Sequence, residues 1–113
     1  MGRLYVVTRA DLAPGAQLAQ SCHAVSAFAA RFPEEHRKWH TAAQNLVVLS
    51  VADEKALSDL LDSIEDAHEI ECAAFFEPDF DDALTAFAVS GEAGRLLSSL
   101  PLALRPQRVA SAA

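Results

Sequence analysis

A chain of 113 residues, 51% hydrophobic and 22% charged, has the balance of a folded domain rather than a disordered segment. With 4 Gly and 2 Cys it is neither collagen-like nor a disulfide scaffold. No apolar run approaches the ~20 residues of a membrane span. The net charge of −7 is unevenly placed, with residues 1–44 at +2 and residues 45–113 at −9. An acidic balance disfavours nucleic acid as a partner, yet screening over ~8 Å leaves the basic first part able to meet phosphates locally. The start, Met1-Gly2-Arg3, runs straight into strand-like sequence without a signal-peptide core, so a cytoplasmic location is expected.

Leu4 to Thr8 is β-rich and nearly all apolar, as a buried central strand would be. Pro14 suits the first turn of a helix. From Ala16 the period is helical, and Leu18, Cys22, Val25, Ala29 and Phe32 form a stripe expected to face inward. Pro33 ends that helix and opens a shorter polar one, Glu34 to Ala43. Asn45 to Val51 reads as a second buried strand. Asp53 is the expected N-cap of a helix whose Leu57, Leu60, Leu61 and Ile64 face inward.

Ile70 to Phe76 follows as a third strand, with Ile70, Cys72, Ala74 and Phe76 on one face. The acidic loop Glu77 to Asp82 leads into a fourth strand, Leu84 to Val89. Ser90-Gly91-Glu92 is expected to start a last helix that runs to about Leu100. Residues 1–105 then make one domain, and 106–113 a tail expected to fray. The order β-α-(α)-β-α-β-β-α implies an α/β fold. The expected form is a three-layer α/β/α sandwich on a four-stranded mixed sheet.

Beside the apolar stripe of the first helix, Ala16, Gln20, His23 and Ala27 form a second one. This helix opens at the carboxyl end of the first strand, where open α/β sheets bind ligands. Gln20 and His23 can therefore share a cleft, although His23 can equally be a hydrogen-bonded histidine at a helix–sheet junction. Other candidates are weaker. Cys22 and His23 point about 100° apart and cannot pair as nucleophile and base. Cys22 and Cys72 both read as buried free thiols. His36 and His40 lie on a solvated face, with Arg37 where a metalloprotease helix needs a glutamate. Trp39 suits helix–sheet packing. Glu77, Asp79, Asp81 and Asp82 lack the alternation and glycine of a calcium loop. No metal site is expected.

Gly15-Ala16-Gln17-Leu18-Ala19-Gln20-Ser21-Cys22-His23-Ala24 resembles the G-K-x-A-A-Q-x-x-H-A signature of class II peptidyl-tRNA hydrolases. It is most similar to their shorter "peptidyl-tRNA hydrolase domain-containing" subgroup, which also has Gly-Ala at its start. Residues 5–12, 46–49 and 52–57 resemble further segments of that family in order. The resemblance implies the three-layer fold and no metal or organic cofactor. It also implies hydrolysis of the ester joining a peptide to the 3′ ribose of tRNA. Such a reaction needs an oriented water, a group to take its proton and stabilisation of the oxyanion.

By this resemblance Gln20, His23 and Glu77 are the expected catalytic residues. Thr85 is the expected nearby hydroxyl, and Arg9, Arg31, Arg37 and Lys38 are the candidates for holding tRNA phosphates. Two departures stand out. Ala16 replaces the family lysine, and Glu77 stands where the family has an aspartate followed by Ala-Gly. The alternatives are a non-catalytic tRNA- or protein-binding module of the same fold, and a hydrolase acting on another acyl ester. The family also implies a homodimer as one possibility.

Overall fold

Seven residues, Arg3–Arg9, form β1 in the interior of the sheet, with Val6, Val7 and Thr8 buried in succession because both faces are covered. The computed structural model describes residues 2–67 and 69–105, so the expected fraying of 106–113 lies outside it. After β1 come α1 (Pro14–Arg31), α2 (Pro33–Ala42), β2 (Asn45–Val51) and α3 (Glu54–Glu65). Then follow β3 (Cys72–Glu77), a 3-10 turn (Pro78–Phe80), β4 (Ala83–Ser90), a second 3-10 turn (Gly91–Ala93) and α4 (Gly94–Leu97). The strand order is β2-β1-β4-β3. β1 runs parallel to β2 and antiparallel to β4, and β4 runs antiparallel to β3. This is the expected α/β mixed sheet.

Helices cover both faces. On one, Phe28 and Ala24 of α1 and Trp39 of α2 pack on Leu4, Val6, Ala73, Ala86 and Ala88. Small side chains on the sheet let α1 lie close to it, and Trp39 is anchored by donating its indole N–H to the Asn45 carbonyl at 2.8 Å. On the other face, Leu57, Leu61 and Ile64 of α3 pack with Ala93 and Leu97 on Val7, Leu49, Phe87 and Val89. Asp53 caps α3 by accepting from the Ala56 N–H at 2.9 Å. Among the described residues no helix is long and apolar enough to cross a membrane.

Three expectations need correction. The inward face of α1 is Gln17, Gln20, Ser21, Ala24 and Phe28. Leu18 is 55% exposed and Cys22 is exposed too, so the helix is turned by about one residue, ~100°, from the expected stripe. In an alanine-rich helix the apolar contrast between faces is weak, and the buried polar residues are stable there because each finds a partner. The long last helix is instead a 3-10 turn and a single short α-helix ending at Leu97. Residues 101–103 then lie along the free edge of β2. Leu102 bridges Leu49, Pro101 O accepts from Ser50 N–H at 3.0 Å, and Ala103 N–H donates to Val48 O at 2.8 Å. Ile70 lies outside β3, which starts at Cys72.

One irregularity positions the site. Along β3 the partner in β4 jumps from Ala86, opposite Phe75, to Leu84, opposite Phe76. Thr85 is thus the extra residue of a β-bulge. A bulge resets the alternation of side chains, so Leu84 and Phe87 both reach the α3 core while Thr85 turns to the α1 face.

Candidate functional site

The site assembles where α1 crosses the carboxyl end of β3 and the start of β4. Gln20, in the second turn of α1, is only 4% exposed. Its Nε2–H donates to Glu77 Oε1 at 2.9 Å, and its Oε1 accepts from the Thr85 hydroxyl at 2.7 Å. The direction of this chain is forced. An ionised carboxylate only accepts, so the amide NH2 must face Glu77 and the amide oxygen must face Thr85. The Thr85 carbonyl, released from regular pairing by the bulge, accepts from the Thr8 hydroxyl at 2.9 Å. Thr8 and Thr85 are both fully buried.

Glu77 ends β3 on the same face as Phe75, two residues and about 6.6 Å along the strand. Its carboxylate also accepts from the Asp79 N–H at 3.4 Å. The Gln20 hydrogen bond, the Asp79 N–H and the His23 charge hold its pKa below the ordinary carboxylate value, against a smaller opposing effect of burial. His23, one turn beyond Gln20, is exposed and lies flat on Phe75, ring centroids 4.6 Å apart and planes 18° apart. The imidazole is thus held by stacking, with its ring edge open to solvent. The result is a buried amide locked between a hydroxyl and a carboxylate, with a solvent-facing imidazole at the rim. That arrangement can orient a water and move its proton.

A family model for Peptidyl-tRNA hydrolase PTH2 matches residues 3–79. The chain belongs to that family. The matched stretch runs from β1 to the 3-10 turn after β3 and includes Gln20, His23 and Glu77. Thr85 lies beyond it, in β4. Among curated proteins no relative matches. In this peptidyl-tRNA hydrolase family member the basic candidates lie apart from the cluster. Arg9 is on the α3 side of β1, where its guanidinium grips Asp11 through two hydrogen bonds of 3.0 and 2.9 Å and donates to Leu84 O. That pairing raises the Arg9 pKa and lowers that of Asp11.

Arg31 lies eleven residues beyond Gln20, ~16 Å along the helix, beside the Cys72 carbonyl at the opposite end of β3. Arg37 pairs with Glu34 at 2.9 Å and Lys38 with Glu35 at 3.6 Å on the exposed face of α2. The structure therefore brings Gln20, Glu77 and Thr85 into contact and His23 beside them, and none of the four cations. Thr8 and Phe75 are members that sequence reasoning missed. The available signal was the spacing of Leu84, Phe87 and Val89, which breaks strict alternation and so hints at the bulge.

Proposed function

We propose that the protein is a peptidyl-tRNA hydrolase that cleaves the ester between a peptide, or an N-blocked aminoacyl group, and the 3′ ribose of tRNA. The observation that supports this reading is the Thr85–Gln20–Glu77 hydrogen-bond chain with His23 at its open end. His23 takes the proton of the attacking water and returns it to the ribose oxygen as the ester breaks. Glu77, kept ionised, favours the imidazolium formed in between and holds the Gln20 amide in one orientation. The second amide hydrogen of Gln20 has no acceptor among the described residues and is available to the developing oxyanion. No metal or organic cofactor has a part in this scheme.

The test is single-turnover release of an N-blocked aminoacyl group from tRNA by wild type, His23→Ala and Glu77→Gln. His23→Ala should slow release by about 10²-fold or more at nearly unchanged tRNA affinity. A second reading, a binding module that has lost turnover, is favoured by Ala16. It leaves the first turn of α1 without the cation of the family signature. Tight, salt-sensitive tRNA binding with no release above buffer would establish that reading instead. Release from a simple acyl ester but not from tRNA would assign the site to a different ester.

A further inference from the structure

The pairing of β1 with β4 stops at Thr8 and Ala86, so Leu84 and Thr85 at the bulge lie beyond that ladder. Both residues are buried, and their backbone groups need other partners. Side chains supply them. The Thr8 hydroxyl donates to Thr85 O at 2.9 Å, and the Arg9 guanidinium donates to Leu84 O at 3.1 Å. Leu84 N–H donates in turn to Glu54 Oε2 at 2.9 Å. Thr8 follows Leu4 and Val6 onto the α1 face, whereas Arg9 stands on the other. Neighbouring residues of one strand thus grip the bulge from the two faces of the sheet.

What they grip decides where the Thr85 hydroxyl points. That hydroxyl has one proton and two acceptors within reach, Gln20 Oε1 at 2.7 Å and Phe75 O at 3.4 Å. A small turn of the backbone would exchange one for the other. A slip to regular pairing would go further and carry Thr85 to the α3 face. Either change leaves Gln20 Oε1 without its donor. Arg9 suits this holding task better than a phosphate. Two of its hydrogen bonds are spent on Asp11 and a third on Leu84 O. Asp11, with Glu54 and Asp53 adding to it, raises the Arg9 pKa against the opposing effect of burial. Three carboxylates around one guanidinium leave little positive field for an anion.

We propose that Thr8 and Arg9 are positioning residues that hold the carbonyls of the bulge and thereby aim the Thr85 hydroxyl at Gln20. The effect on acyl release rests on the hydrolase reading; the effect on the Thr85 conformation does not.

The variants are Thr8→Val, which keeps the shape and removes the hydroxyl, Thr8→Ser, which restores it, and Arg9→Met, which keeps the stem and removes the guanidinium. The assay is steady-state release of an N-blocked aminoacyl group from tRNA, at a temperature where each variant is folded. Thr8→Val and Arg9→Met should each lower kcat by about tenfold or more and leave KM within about twofold. Thr8→Ser should recover kcat, and in a Thr85→Val background Thr8→Val should cost nothing further. Without substrate, NMR should show the Gln20 side-chain N–H exchanging with solvent about tenfold faster in Thr8→Val and Arg9→Met. Arg9→Met carries the test should Thr8→Val not fold.

A raised KM at unchanged kcat in Arg9→Met assigns that residue to substrate binding and overturns its role here. Wild-type kcat and exchange in Thr8→Val, or a further loss in the Thr85→Val background, overturns that of Thr8. Faster exchange in a protein that releases no acyl group keeps the two positioning residues and sinks the hydrolase reading. Release with wild-type exchange in both variants does the reverse.

Discussion

The Thr85 hydroxyl donates to Gln20 Oε1 across 2.7 Å, although the two residues stand 65 positions apart in the chain. This contact joins α1 to the bulge of β4 and sets the direction of the Gln20 amide. Thr85→Val keeps the shape and removes the donor, leaving a buried amide oxygen unpartnered. Urea unfolding should show a loss of about 1–3 kcal/mol. Acyl release should fall with it, because the amide is free to turn. Thr85→Ser should restore both, whereas a purely packing role would leave Ser as poor as Val.

Glu77 makes stability depend on pH with a definite sign. Its folded pKa is held below the ordinary 4.5, first by the Gln20 hydrogen bond, so the folded state binds this proton less readily than the unfolded one. The contribution is fully present above about pH 4.5 and is lost as pH falls through the folded value. Wild type should therefore exceed Glu77→Gln in thermal midpoint at pH 6, and the gap should close toward pH 3. A gap that widens on acidification would show that the carboxylate is not held in this way.

The two cysteines should separate cleanly by reactivity. Cys22 is exposed on α1, whereas burial pushes the Cys72 thiol up to about 12, with Glu65 adding to the effect and Arg31 opposing it. A thiol-reactive aromatic disulfide should label one site per chain in the native protein and two in denaturant. Native labelling of Cys22→Ser at the same rate would contradict the burial of Cys72.

Asp53 is the only described N-cap of an α-helix whose side chain makes the capping hydrogen bond. Asp53→Ala should cost about 1 kcal/mol in chemical denaturation, and Asp53→Asn much less, since both Asp and Asn accept from the Ala56 N–H. Because α3 lies on the face away from Gln20, acyl release should be unaffected under conditions where both variants are folded.

Local pattern determined most of the fold. The apolar runs at Val6–Val7 and Leu46–Leu49, the prolines at 14 and 33, and the Asp53 cap are readable because each acts within a few residues. The motif of α1 likewise puts Gln20 and His23 one helical turn apart by their spacing alone. What the sequence left open depends on contacts between distant segments. The inward face of α1 was settled by polar partners, with Gln17 bonded to Leu12 O and Gln20 held between Glu77 and Thr85. Against those bonds the weak apolar preference of Leu18 and Cys22 did not prevail. The aim of Thr85 came from a bulge in strand pairing. An inserted residue reverses side-chain parity only relative to a partner strand, so a single strand read alone gives Thr85 to the wrong face of the sheet.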